Sequence, residues 1–368
     1  MPGSEGTRGG IRVLHLIPHL AQGGAEAALA ALVAAPQPRI EHAVCTMITG
    51  PSHFDLAQPI LRGSGRQGSP SPALALHLRR ALWKVRPHVL HCWMYHANLL
   101  SVASVGFGVR ILWSIHSERP DVLKRMTRWA SATCARLSSV LPDRIIYVAE
   151  TARAHHEAAG YAPARGIVIP NGINTERFRP ATMARPHHNT IRLGMIARFD
   201  PAVKGHHFLI DVLATHPLRS RLLIVFAGAG CDTAQELRDH LEAVGLLGQT
   251  RLFGALTQIE QLYKDLDLLV LPSSSEALPM SLLEGAAMGL VICASRVGDI
   301  PWLGLPEETL FKPGDAFDCG RALTAAAALV GRPEVAMKQR VLIESRFGID
   351  AVARRYAELY RDVVKVQH

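Results

Sequence analysis

Short apolar runs recur along this chain at intervals that suit strands alternating with helices. Residues 11–17, 89–93, 111–115, 145–149 and 167–169 form such runs in the first half, and 191–196, 222–226, 251–253, 268–271 and 290–294 in the second. Runs of this length bounded by turn signals read as strands buried on both faces of a parallel sheet. Between them lie an alanine-rich helix after Gly23-Gly24, a basic helix over 73–86, a helix over 280–288, one starting at Gly314-Asp315 and a last one over 349–364. Strand, glycine turn and helix in that order predict doubly wound α/β domains. Residues 51–72, rich in Gly, Ser and Pro, read as a surface loop, and no internal repeat is present.

A length of 368 residues suffices for two domains, each with its own core. No apolar run reaches the roughly 18 residues that a membrane-spanning helix needs. The apolar run after the polar start ends at Pro18, too short for a signal peptide. Six cysteines are scattered without a C-x-x-C pair, which suits reduced thiols in a cytoplasmic protein.

The net charge of +9 is uneven: residues 1–185 hold 21 Lys and Arg against 10 Asp and Glu, and residues 186–368 hold 19 against 21. A basic half could serve nucleic acid, yet no helix-turn-helix, zinc or RNA-binding signature accompanies it. An anionic membrane surface or a phosphate-bearing acceptor explains it at least as well. Two segments carry the charge beside tryptophan. In 73–86, Arg79, Arg80, Lys84 and Arg86 interleave with Leu76, Leu78, Leu82 and Trp83; in 119–144, Lys124, Arg125, Arg128, Arg136 and Arg144 stand among Leu123, Met126, Trp129 and Leu137. The second reads equally as a solvated basic helix or as a helix lying on anionic headgroups.

The chemistry concentrates in residues 273–301, S-S-S-E-A-L-P-M-S-L-L-E-G-A-A-M-G-L-V-I-C-A-S-R-V-G-D-I-P. Pro279 suits the first turn of a helix, so the N–H groups of Ser281, Leu282 and Leu283 should face the preceding loop and offer an anion site. Glu284 then sits one turn inside the helix and Glu276 in the loop. One carboxylate can accept bonds from ribose hydroxyls while the other meets a sugar beyond a diphosphate.

At these residues the chain resembles the retaining glycosyltransferases of family 4. The resemblance implies the GT-B fold: two Rossmann-like domains, 1–185 for the acceptor and 186–368 for the nucleotide sugar, with a cleft between them. The linker would be 181–189, and the final helix would cross back to the first domain. It implies that Glu284 holds the donor ribose and Glu276 contacts the transferred sugar, with Ala277 and Leu278 lining the donor beside Ser281, Leu282 and Leu283. Ala277 stands where the family usually has glycine, and Val291 where it often has proline; the methyl of Ala277 would hinder close backbone approach and could narrow the sugar pocket.

Other positions follow from the same likeness. Arg198 and Lys204, after the strand 191–196, would neutralise the donor diphosphate, although a surface Arg and Lys on a loop is the plain alternative. Five residues separate them where about four are usual, so the loop should bulge. His116 follows a strand directly, at the end where open α/β sheets bind ligands, and the family sets a histidine there against the donor sugar. Gly23 and Gly24 match a G-G-x-E turn near the donor phosphates, though a plain turn explains the pair as well. Gly228 would border the nucleotide and Phe253 the base, through backbone groups. Pro170-Asn171-Gly172-Ile173-Asn174, with Phe178 and Pro180, matches the end of the first domain.

The implied reaction needs no cofactor and no metal. His91 and His96 have no third ligand at sensible spacing. Asp265-Leu266-Asp267 looks like a metal-binding D-x-D but leads straight into a buried strand. The expected partners are a nucleotide-sugar donor, a glycan or lipid-linked acceptor and an anionic membrane surface, with no nucleic acid. The expected place is the cytoplasm, on the inner face of the membrane. Two rivals stay open: an epimerase or hydrolase of the same fold, and a non-catalytic nucleotide-sugar binder.

Overall fold

A computed structural model of the chain describes residues 10–21, 23–50, 52–63, 65, 72–121, 124–180 and 190–365. The chain splits into two compact units, residues 1–172 with 349–368, and residues 173–348.

The first unit holds β1 (Ile11–Ile17), α1 (Gly24–Ala34), β2 (Ile40–Thr46), β3 (Ile60–Leu61), α2 (Pro72–Val85), β4 (Val89–Trp93), α3 (Met94–Leu100), β5 (Arg110–Ile115), α4 (Arg125–Leu137), β6 (Arg144–Tyr147), α5 (Glu150–Ala158) and β7 (Gly166–Val168). The strands form one parallel sheet in the order β3-β2-β1-β4-β5-β6-β7. One face packs Leu14, Leu16, Leu90 and Trp113 against Leu78 and Leu82 of α2 and Ala130 and Cys134 of α4. The other packs Val13, Ile17, Val89 and Leu112 against Leu29 and Leu32 of α1.

The second unit holds β8 (Ile191–Ile196), α6 (Pro201–Lys204), α7 (His206–Thr215), β9 (Leu222–Ala227), α8 (Gln235–Ala243), β10 (Thr250–Phe253), α9 (Ile259–Lys264), β11 (Leu268–Leu271), α10 (Met280–Ala287), β12 (Val291–Ser295), β13 (Leu310–Phe311), α11 (Ala316–Leu329) and α12 (Pro333–Phe347). Its parallel order is β10-β9-β8-β11-β12-β13. The last helix, α13 (Ile349–Lys365), belongs to the first unit. Its Val352, Tyr356, Tyr360 and Val363, spaced by about one turn, make an apolar face that is buried on the first sheet.

Strand order reverses between β1 and β4 in one sheet and between β8 and β11 in the other. The carboxyl ends of strands at such a switch point are where open α/β sheets bind ligands.

Three expectations shift. The unit boundary falls at 172/173 rather than 185/186. Residues 173–180 are held by the second unit: Ile173 N donates to Phe347 O at 2.8 Å, and Arg340 donates to Phe178 O at 3.0 Å and to Thr175 O at 3.2 Å. The segment 181–189 lies outside the described residues. Among the described residues of the basic segment 119–144, Arg125–Leu137 is the helical part, and the loop 51–72, described in part, holds β3 and the start of α2.

Candidate active site

β8 and β11 are neighbours, so the loops after them meet. After β8, Asp200 accepts from Val203 N at 3.3 Å and caps the single turn α6, which absorbs the extra residue between Arg198 and Lys204. After β11, Ser274 N donates to Val203 O at 2.8 Å, stitching that loop to α6. Gly205 ends α6 at φ 77°, and a Cβ there would sit 2.5 Å from Pro272 O, so glycine permits both the left-handed turn and the close approach.

The result is a direct contact. Lys204 Nζ donates to Glu276 Oε1 at 2.5 Å, and Ser273 Oγ donates to the same oxygen at 2.8 Å. The side chains are 17% and 12% exposed, so the ion pair is shielded from most of the solvent. The loop is pressed from its other side by the turn at Gly298. Asp299 N donates to Ala277 O at 3.1 Å, and a Cβ on Gly298, at φ 54°, would clash with the Glu276 and Ala277 carbonyls. Ala277 and Leu278 are buried.

Pro279 caps α10. Leu283 N donates to Pro279 O at 3.4 Å, which corrects the expectation for that amide. The amides without a partner inside the helix are those of Met280, Ser281 and Leu282. Glu284, one turn in, accepts from Tyr263 Oη at 2.8 Å. Burial pushes its carboxyl pKa up to about 7, against the Tyr263 hydrogen bond and the Arg177 guanidinium, with Glu260 adding to the rise. Arg177 itself donates to Glu260 at 2.8 Å and to Thr257 O at 2.8 Å.

Arg198 sits at the same strand end but is more than half exposed and pairs with Asp200 at 3.2 Å. The two cations are therefore neutralised by different acids, Lys204 by Glu276 and Arg198 by Asp200. Gly228 N donates to Phe253 O at 3.1 Å, closing the ends of β9 and β10 together.

The first unit carries the remaining predicted residues. His116 follows β5, its ring stacked on Trp93 at 5.2 Å between centroids. Burial pushes its pKa down to about 3, and Asn171 is the side chain that favours its charged form. Both ring nitrogens are buried, and the Asn171 side chain is their neighbour within the first unit. Gly23 caps α1. The Glu26 carboxylate bends back over Gly23 and lies 3.2 Å from His19, so the α1 amino end is already faced by an anion. Glu26 crowds Gly23, whereas a Cβ on Gly24 would meet nothing within 4 Å.

The D-x-D segment lies at the opposite end of the second sheet. Asp267 precedes β11 and accepts from Arg192 Nη2 at 2.8 Å and Nε at 3.0 Å. Among the described residues no group of three His, Cys, Asp or Glu could hold a metal ion.

Sequence reasoning missed Ser273, Asp200, Tyr263 and the Arg177–Glu260 pair. Ser273 stood in the quoted stretch but carried no signal of its partner, and Tyr263 sits inside a helix with no motif around it.

Comparison with known proteins covers both halves of the chain. Residues 9–177 match the family model Glycosyltransferase Family 4, and residues 190–329 match Glycosyl transferases group 1. The lipopolysaccharide core biosynthesis mannosyltransferase LpsB of Rhizobium meliloti (strain 1021) is 26% identical over 77% of this chain and 83% of its own length. Several other curated relatives are matched over only about half of their length. One is the GDP-mannose:cellobiosyl-diphosphopolyprenol alpha-mannosyltransferase of Komagataeibacter xylinus, 27% identical over 57% of this chain and 53% of its own length. In fold, the crystal structure of Anabaena Alr3699/HepE in complex with UDP and glucose superposes with a TM-score of 0.80 at 18% identity, covering 96% of this chain and 100% of that one.

Proposed function

We propose, from the premise that this chain belongs to the family 4 glycosyltransferases and has their GT-B fold, that it moves a sugar from a nucleotide-sugar donor to an acceptor hydroxyl. The configuration at the sugar is retained and no metal takes part. The observation that carries this is the Lys204–Glu276 contact at the carboxyl ends of β8 and β11, beside the open amides of α10.

The donor diphosphate lies against Lys204 and the amides of Met280, Ser281 and Leu282, and Arg198 leaves Asp200 to add a second charge. These groups oppose the charge that grows on the leaving phosphate as the bond from the sugar's anomeric carbon breaks. The acceptor oxygen bonds to that carbon from the same face, and its proton passes to the leaving phosphate oxygen. Glu284 accepts from the ribose, Glu276 holds the transferred sugar and orients Lys204, and His116 lies against the sugar. Gly228, Phe253, Ala277 and Leu278 line the donor.

The pathway proposed is bacterial polysaccharide or glycolipid assembly, in keeping with the lipopolysaccharide mannosyltransferase among the relatives. The test is mass spectrometry of products from UDP, GDP and ADP sugars, with and without glycan or lipid-linked acceptors and with EDTA present. Acceptor-dependent transfer that survives EDTA supports the reading. Release of free sugar or an epimer without acceptor contradicts it.

The same proposal puts the acceptor at an anionic membrane surface on the cytoplasmic side. Residues 56–117 contain seven Lys and Arg and no acid. Leu76, Arg80, Trp83 and Lys84 recur at one- and two-turn spacing on α2, and Met126 and Trp129 stand beside Arg125 and Arg128 on α4. Trp83 is 72% and Trp129 59% exposed. Exposed tryptophan among cations is the signature of a helix at a headgroup interface. No helix among the described residues is long and apolar enough to cross a membrane.

A further inference from the structure

One chain of side chains on the first sheet has no place in the chemistry above. Trp93, the last residue of β4, is buried, and its indole Nε1 donates to His15 Nδ1 at 3.1 Å. An indole nitrogen can only donate, so His15 must carry its proton on Nε2. From there it donates to His42 Nδ1 at 2.9 Å. His42 in turn is protonated on Nε2, a buried atom with no partner among the described residues. A single tryptophan thereby sets the tautomers of two histidines. Burial first, then His42 and His91, push the His15 pKa well below its ordinary value, so Nδ1 stays an acceptor through the neutral range.

Trp93 is also the surface on which His116 rests, with 27° between the ring planes. His91 also flanks the indole, at 4.7 Å between centroids, and is itself tied to Ser114 Oγ at 2.7 Å and Tyr360 Oη at 2.9 Å. The next residue, Met94, has φ 70°, a left-handed conformation that side chains rarely adopt, and its Sδ accepts from His116 N at 3.3 Å. Strain of this kind persists where the surroundings over-determine it. His116 is thus held by its ring face on Trp93 and by its backbone on Met94.

We propose that Trp93 is a positioning residue for His116 and that His15 locks it by accepting the indole N–H. The proposal rests on the reading that His116 acts at the transferred sugar. Stacking alone leaves the indole free to tilt, and the hydrogen bond selects one orientation and with it the plane on which the imidazole lies.

A kinetic cycle tests this, run on the donor and acceptor found in the product screen. His15→Leu is expected to lower kcat by about ten- to a hundredfold, the cost of a misplaced group, with donor affinity unchanged. His15→Asn, whose carbonyl can accept the indole N–H, restores most of it. Trp93→Phe lowers kcat by itself, and His15→Leu added to it lowers kcat no further, since there is no N–H left to hold. An equal His15→Leu loss in both backgrounds, or no rescue by asparagine, overturns the lock. His116→Ala with wild-type kcat would remove the underlying reading as well. A crippled His116→Ala with additive His15 and Trp93 effects removes the positioning alone.

Discussion

Lys204 and Glu276 stand 72 residues apart in the chain and touch at 2.5 Å in the fold. Each is the other's compensation, because a shielded charge that loses its partner is costly. Lys204→Ala is expected to cut turnover by about 10²–10³-fold, as for other lost partners of transition-state charge. Glu276→Gln, which keeps a hydrogen-bond acceptor, should cost less than Glu276→Ala. The double mutant Lys204→Ala/Glu276→Ala should fall short of the product of the single losses. Steady-state rates and a double-mutant cycle check this, and strict additivity would place the two residues in separate roles.

Glu284 should make donor binding depend on pH. Its carboxyl has a pKa of about 7 in the free protein, and ribose hydroxyls donating to the carboxylate would lower it. Affinity should therefore rise with pH up to about 7 and level off above, with proton release on binding near pH 6.5. Titration calorimetry in two buffers of different ionisation enthalpy reads the proton directly; no release would take Glu284 away from the ribose.

Stability should show the same group with the opposite sense. A folded pKa of about 7 against 4.5 for the ordinary carboxyl favours the fold at low pH, and this contribution is lost as pH rises through that window. Glu284→Gln, which can still accept from Tyr263, should be more stable than wild type above pH 7 by up to about 3 kcal/mol, and the gain should vanish near pH 4. Denaturant melts at pH 5 and 8 measure it.

How much of this was legible depends on what each residue's neighbours are. Strands at 11–17, 89–93, 191–196 and 268–271 coincide with the apolar runs because a strand buried on both faces writes a continuous run. β2 went unread, since Glu41 and His42 interrupt it and only the fold shows His42 bonded to His15. The helix α12 went unread too, because Met337 and Val341 face solvent and blur its periodicity. Glu276, Lys204 and Glu284 could be placed at strand and helix ends one at a time. Their partners could not, because those depend on which strands lie side by side.

Gln339 on α12 is buried, and neither its oxygen nor its nitrogen has a partner among the described residues. Leaving such a group unsatisfied costs about 1–3 kcal/mol. Gln339→Met, of similar length, should raise stability by roughly 1 kcal/mol in urea unfolding. A loss would show that the amide is in use.

Attachment to vesicles should follow charge. Each Lys or Arg near an anionic surface contributes on the order of 1 kcal/mol, fading within about 8 Å at physiological salt. The protein should sediment with anionic but not neutral vesicles and be released by high salt. Changing Lys124, Arg125 and Arg128 to Glu should weaken it. Indifference to anionic vesicles at low salt would sink the membrane proposal and leave the transferase reading in place.

The central claim, a nucleotide-sugar site built on Lys204, Glu276 and the head of α10, is met most directly by titrating UDP, GDP and ADP into the wild type and into Lys204→Ala. One of the three should bind the wild type and stabilise it by about 2.7 kcal/mol at a hundred times its dissociation constant. Lys204→Ala should bind it at least tenfold more weakly while folding normally. No binding of any of the three, or equal binding by both proteins, would contradict the assignment.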